Sequence, residues 1–106
     1  MAVLVSNNSR VMTAKIEGDI DHHTAKDIRE KIDLELRKFS PKMLMLDFGQ
    51  VQFMDSSGIG LIMGRFKLVT ALGGKLSVVN IPKRLERMIK LSGLAALGIF
   101  EKGGKI

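Results

Sequence analysis

Two short segments hold the side chains able to do chemistry. Asp55-Ser56-Ser57-Gly58-Ile59-Gly60 sets two hydroxyls beside a carboxylate and among glycines, while Asp21-His22-His23 sets a carboxylate beside two imidazoles. The enzymatic chemistry these types allow is hydrolysis, with Ser56 as nucleophile, His22 or His23 as base and Asp21 or Asp55 as orienter. The spacing disfavours it. A nucleophile elbow reads G-x-S-x-G, and neither serine has a glycine two positions earlier. A dinucleotide fingerprint also fails, because Met63 stands where G-x-G-x-x-G needs its third glycine and Gly64 comes one residue later. Gly60 and Gly64 read instead as residues that allow close packing. Metal binding by His22 and His23 is disfavoured too, since neighbouring residues diverge and no cysteine assists them. No cofactor or metal is expected.

What remains is the chemistry of a modifiable hydroxyl. Asp55, Ser56 and Ser57 are all helix N-cap types, whose oxygens accept the free N–H groups of a first turn. A serine there can carry a phosphate without unfolding the helix, because the positive end of the helix dipole tolerates added negative charge. With Asp55 beside it, that phosphate concentrates like charge on a docking surface, so binding changes while the fold persists.

The elements that must position these segments alternate along the chain. Val3 to Val5 and Val11 to Glu17 read as an antiparallel hairpin turning at Ser6-Asn7-Asn8-Ser9. Thr24 and Asp27 have capping-box spacing, and Ala25, Ile28, Ile32, Leu36 and Phe39 recur at helical period until Ser40-Pro41. Met43 to Phe48, apolar except for Asp47, suits a central strand covered on both faces. A second helix runs from Ser56 and Ser57 to Leu72 and stops at Gly73-Gly74, and Lys75 to Val79 is another strand. Pro82 opens a third helix with Leu85, Met88 and Ile89 inside, and Ile99-Phe100 adds a short extended piece. This order implies an α/β domain whose mixed, mostly parallel sheet carries an N-terminal antiparallel hairpin, with helices packed on it.

The second helix is apolar nearly all round. Ile59, Ile62, Met63, Phe66 and Val69 can face the sheet, which leaves Leu61, Leu68 and Leu72 flanking Arg65 on another side. That side is either a docking surface or is covered by the other helices.

Composition narrows the class. A chain of 106 residues with 45% hydrophobic content suits one domain, 1–106, and the absence of cysteine excludes disulfides and thiolate metal sites. No stretch approaches the ~20 apolar residues that span a bilayer, and no signal peptide is evident, so a cytoplasmic protein with no membrane partner is expected. The net charge of +6 raises nucleic-acid binding. Lys26, Arg29, Lys31, Arg37 and Lys38, however, alternate with Asp27, Glu30, Asp33 and Glu35 as on a solvated helix face. Lys83, Arg84, Arg87 and Lys90 form the one purely basic stripe, and there is no Tyr or Trp to stack on bases, so no direct nucleic-acid partner is expected.

The sequence resembles the STAS-domain anti-sigma factor antagonists. Phe53 to Gly60, continuing to Gly64-Arg65-Phe66-Lys67, resembles their phosphorylation segment and its helix; Gly18-Asp19-Ile20-Asp21-His22-His23-Thr24-Ala25 resembles their strand-to-helix motif. The Asp-His-His run is similar to the sporulation, sigma-F subgroup, and Leu91-Ser92-Gly93-Leu94 also fits. The resemblance runs from about Val3 to Phe100 and implies a STAS fold, no enzymatic activity of its own, and phosphorylation at Ser56 by the anti-sigma factor, a serine kinase. It further implies that the unphosphorylated form binds that kinase and releases the sigma factor, and that a PP2C-like phosphatase resets the switch. Asp21, His22, Met54, Asp55, Ser57, Gly58, Ile59, Leu61 and Arg65 are the partner-binding residues it implies. Members of the family usually continue into a C-terminal helix, and Glu101-Lys102-Gly103-Gly104-Lys105-Ile106 leaves that helix short or missing. The alternative role is that of a STAS phospho-switch in a stress-response or transport-associated assembly.

Overall fold

A computed structural model describes residues 2–100; the tail from Glu101 to Ile106 lies outside the described residues. Strands β1 (Ala2–Asn8) and β2 (Val11–Ile20) form the hairpin, followed by α1 (Ala25–Phe39), β3 (Met43–Met54), α2 (Ser56–Ala71) and β4 (Lys75–Val79). A 3-10 turn at Lys83–Leu85 leads into α3 (Glu86–Ser92), and a second such turn spans Leu94–Leu97. The sheet order is β1-β2-β3-β4, with β1 antiparallel to β2 and the other neighbours parallel. Phe100 adds an isolated parallel bridge to Val78, where the extended piece was expected.

The hairpin is longer than local turn propensity suggests. Ser6 and Asn7 pair with Thr13 and Met12, and the reversal shrinks to Ser9-Arg10, with Ser9 in the left-handed region at φ 58°. Pairing along a ten-residue partner strand outweighs the turn preference of Ser6 and Asn7.

Strand β3 also runs past the expected Phe48, to Met54. Two register shifts in the β2–β3 ladder, between Lys15 and Glu17 and between Gly18 and Asp19, absorb the extra residues of β3 as bulges. Beyond Asp47, β3 no longer pairs with β4. Arg84 supplies substitutes there: its Nε and Nη2 donate to the carbonyls of Gln52 and Val51 at 2.9 and 3.0 Å. One member of the basic stripe is therefore committed to holding the strand.

Strand β3 is central, as expected, but it is not covered on both faces. Leu44, Leu46 and Phe48 are fully buried, whereas Met43, Met45 and Asp47 are only half-buried. The cause is handedness. Both crossovers, β2-α1-β3 and β3-α2-β4, step the same way across the sheet, and right-handed connections then put both helices on the same face. Ile28, Ile32 and Leu36 of α1 and Ile62 and Val69 of α2 join Met12, Ala14, Ile16 and Ile20 in that single core.

Gly58 sets how closely α2 meets the end of β3, since a Cβ there would collide with Cγ and Sδ of the buried Met54. Gly58→Ala should therefore destabilise the domain by about 1–3 kcal/mol through overpacking, in spite of the helix propensity gained. Urea denaturation measures this, and an unchanged midpoint would show that Met54 does not fix the approach.

Candidate functional site

Parallel pairing puts the two chemistry-bearing segments side by side. Ile20 pairs with Met54 at the carboxyl ends of β2 and β3, and one residue further the Asp55 N–H donates to the Ile20 carbonyl at 3.1 Å. Asp21 and Asp55 thus leave the sheet together, each opening a helix.

Asp55 is the N-cap of α2: its Oδ1 accepts from the Ser57 N–H at 2.7 Å and its carbonyl from the Gly58 N–H at 2.9 Å. Ser56, the first helical residue, is exposed, and Ser57 is half-buried. Of the three N-cap types at this turn, the aspartate caps, which leaves the Ser56 hydroxyl at the surface.

The start of α1 differs from the expected capping box. Thr24 has helical backbone angles and makes no side-chain cap; its Oγ1 accepts from the Asp21 N–H at 3.0 Å and donates to the Asp19 carbonyl at 2.9 Å. Asp21 takes over the capping. Its Oδ1 accepts the His23 and Thr24 N–H groups at 2.8 and 3.0 Å, and its carbonyl accepts from Ala25 at 2.9 Å. The backbone donors of Thr24 and then His23 hold the Asp21 carboxyl below the ordinary aspartate value, with a smaller contribution from the two imidazoles. Hydrogen bonds to the charged form favour that form.

The apolar face set aside for docking is largely closed. Leu61 is 4% exposed and Arg65 5%. Leu68 and Leu72 pack against the core. Nε of Arg65 lies 2.8 Å from Oδ1 of Asp33 on α1, a close ionic contact that is off the line of a hydrogen bond. Asp33, read from sequence as part of a solvated face, is instead the counter-ion of a buried arginine, a pairing that local spacing does not reveal. Burial lowers the affinity of the Arg65 guanidinium for its proton, and the Asp33 carboxylate opposes that loss. Met54 and Gly58 are buried as well. Met54 and Gly58 are therefore supports with little free surface, whereas Leu61 and Arg65, though nearly buried, still line the groove between α1 and α2.

The remaining expected residues share one end of the molecule. His22 is exposed and Ile59 half-buried, near Asp21, Asp55, Ser56 and Ser57. The His22 and His23 rings lie 3.9 Å apart between centroids. Between the N-terminal halves of α1 and α2, His22 and Ser57 line a shared groove with Lys26 and Arg29, two residues that sequence reading left on a solvated face. Phe53, next to the buried Met54 at the end of β3, is 53% exposed. Among the described residues, no three His, Asp or Glu side chains gather as a metal cage.

The STAS domain pattern matches residues 2–102. The chain belongs to the STAS domain family. It is 31% identical to the anti-sigma F factor antagonist of Paenibacillus polymyxa over 89% of this chain and 80% of that one. It is 34% identical to the anti-sigma-B factor antagonist of Bacillus subtilis (strain 168), over 85% of this chain and 81% of the relative. Among solved structures, the unphosphorylated form of the anti-sigma factor antagonist SpoIIAA superposes with a TM-score of 0.82 at 25% identity, over 98% of this STAS chain and 90% of that one. No helix among the described residues of this STAS domain is long and apolar enough to cross a membrane.

Two outcomes follow for the site's architecture. Asp33→Ala should cost about 3 kcal/mol, because it strands the Arg65 charge in the core, whereas replacing both partners by apolar residues of similar size should cost far less; chemical denaturation of the two variants separates these cases. For Asp21, a lowered folded-state pKa means that its stabilising contribution is present above the ordinary aspartate value and is lost as pH falls through the lowered one. The His23 and Thr24 amide resonances should titrate with an acidic midpoint below that of a free aspartate and stop titrating in Asp21→Asn. A midpoint at or above the free value would remove the capping role.

Proposed function

We propose that this protein is an anti-sigma factor antagonist whose binding is switched off by phosphate on Ser56. The observation that carries the reading is the placement of Ser56: exposed, first in α2, and next to the Asp21 turn across the Asp55–Ile20 hydrogen bond. The family membership and the relatives named as antagonists support the same role.

In the unphosphorylated state the surface around Ser56, with Asp21, His22, Asp55, Ser57 and Ile59, binds the anti-sigma factor and frees the sigma factor. The anti-sigma factor is a serine kinase and this chain its substrate, so the chain has no catalytic residues of its own. Phosphate on Ser56 adds about −1.5 to −2 charges at the start of α2. The helix terminus accepts that charge, so the fold survives. The partner meets two neighbouring negative groups, the phosphate and Asp55, and departs. A PP2C-like phosphatase restores the hydroxyl, and the cycle runs in the cytoplasm.

The Asp21-His22-His23 run supports the sigma-F, sporulation version of this role. The second reading, a stress-response sigma-B antagonist, is favoured by the 34% identity to the Bacillus subtilis protein. Binding assays against both kinds of anti-sigma factor distinguish them.

Mixing the protein with its anti-sigma factor and ATP should place one phosphate on Ser56, located by mass spectrometry. Ser56→Asp should weaken binding by at least about tenfold, in keeping with a desolvated like-charge contact. Ser56→Ala should bind normally and ignore ATP. Phosphate on Ser57 would move the switch, and full binding by Ser56→Asp would remove it.

A further inference from the structure

Two glycines of α2 mark room that the domain itself does not fill. Gly60 and Gly64 sit one helical turn apart, and a Cβ built on either meets no atom within 4 Å. The expectation that they permit close packing therefore does not hold among the described residues. Alanine would fit at both positions, and glycine in a helix interior forgoes stability that alanine supplies.

The space beside them is the groove of about 470 Å³ between α1 and α2, lined also by Lys26, Arg29, Ser57 and Arg65. Arg65 is 5% exposed, and its Nη1 is buried without a hydrogen-bond partner among the described residues. A buried donor left unmatched is costly. Asp33 occupies the Nε side of the same guanidinium. Arg29 and Arg37 add their positive field to the effect of burial on Arg65, so cations crowd this region. Both α1 and α2 begin at this end, and their dipoles add partial positive charge there.

We propose that this groove receives an acidic segment of the anti-sigma factor, its backbone resting over Gly60 and Gly64 and its carboxylates meeting Lys26, Arg29 and Arg65. The proposal rests on the antagonist reading and adds the partner chemistry that the site grips. Charge selects the occupant: the groove offers three cationic side chains with one hydroxyl at its rim. The location also joins the groove to the switch, because Ser57 lines it and Ser56 is the next residue along the chain. A phosphate there opposes an occupant of the same sign.

Calorimetric titration with the cognate anti-sigma factor tests the assignment. The double variant Gly60→Ala/Gly64→Ala should melt about 5 °C higher, yet bind at least about tenfold more weakly, because the methyl groups fill the seat. Lys26→Glu/Arg29→Glu should weaken binding by a similar factor, and more so at low salt. Lys83→Glu/Arg87→Glu makes the same change in net charge away from the groove and should leave affinity within about twofold. Wild-type affinity in both groove variants would overturn the groove assignment and leave the antagonist reading intact, whereas failure of the unaltered protein to bind would overturn the antagonist reading and the groove with it. Inorganic phosphate that binds the wild-type protein stoichiometrically, but not Lys26→Glu/Arg29→Glu, and displaces the anti-sigma factor would replace the acidic segment by a small anion and overturn the assignment.

Discussion

The arrangement depends on the last rung of the β2–β3 ladder. The Asp55 N–H reaches the Ile20 carbonyl where the strands end, so the two loops cannot drift apart without opening the sheet. Parallel strands deliver both loops to one end, and the bulges of β3 absorb its extra length before that end is reached. Without those bulges the register would differ at Met54, and the serine turn would face a different part of β2. Asp21 and Asp55 then act alike, each folding back on the backbone donors of the helix it opens. The surface between them is therefore built on two capped helix starts with little freedom to rearrange.

Behind that surface lies an ion pair with an incomplete partner set. Burying a guanidinium against one carboxylate is a weak source of stability, because desolvation consumes much of the attraction. Its evident structural effect is to tie α1 to α2 at the depth of Asp33 while the earlier turns of the two helices keep a groove between them. The glycines of α2 maintain that gap from the other side. A positive groove floor and the Ser56-Ser57 turn that adjoins it belong to one electrostatic unit, because charge placed at either acts on the field of the other.

Much of this was legible in the amino-acid order. Strand β4 has the bounds its apolar run suggests, Lys75–Val79, and α2 opens at Ser56, because Asp, Ser and Gly at a strand-to-helix junction leave the backbone few choices. The length of β3 was not legible: Gly49, Gln50 and Gln52 break its apolar run, and bulges are events of pairing between strands that one strand's composition does not record. Thr24 looked like a cap because its spacing to Asp27 is right, yet the turn that opens the helix begins three residues upstream, where Asp21 accepts the His23 and Thr24 amides with a charged oxygen. The surface near Ser56 could be named from residue types alone. The pairing of Asp33 with Arg65 could not, since it comes from the packing of two helices and each residue alone looks like ordinary surface charge.

The one-sided sheet gives the domain a front and a back. Leu4, Thr13, Lys15 and Met45 occupy the back, across the sheet from both helices and away from both helix starts. Changes there alter solubility or attachment and leave the machinery at the front untouched. Such a module can be tethered, fused or decorated on its blank side with the Ser56 turn left exposed at the front.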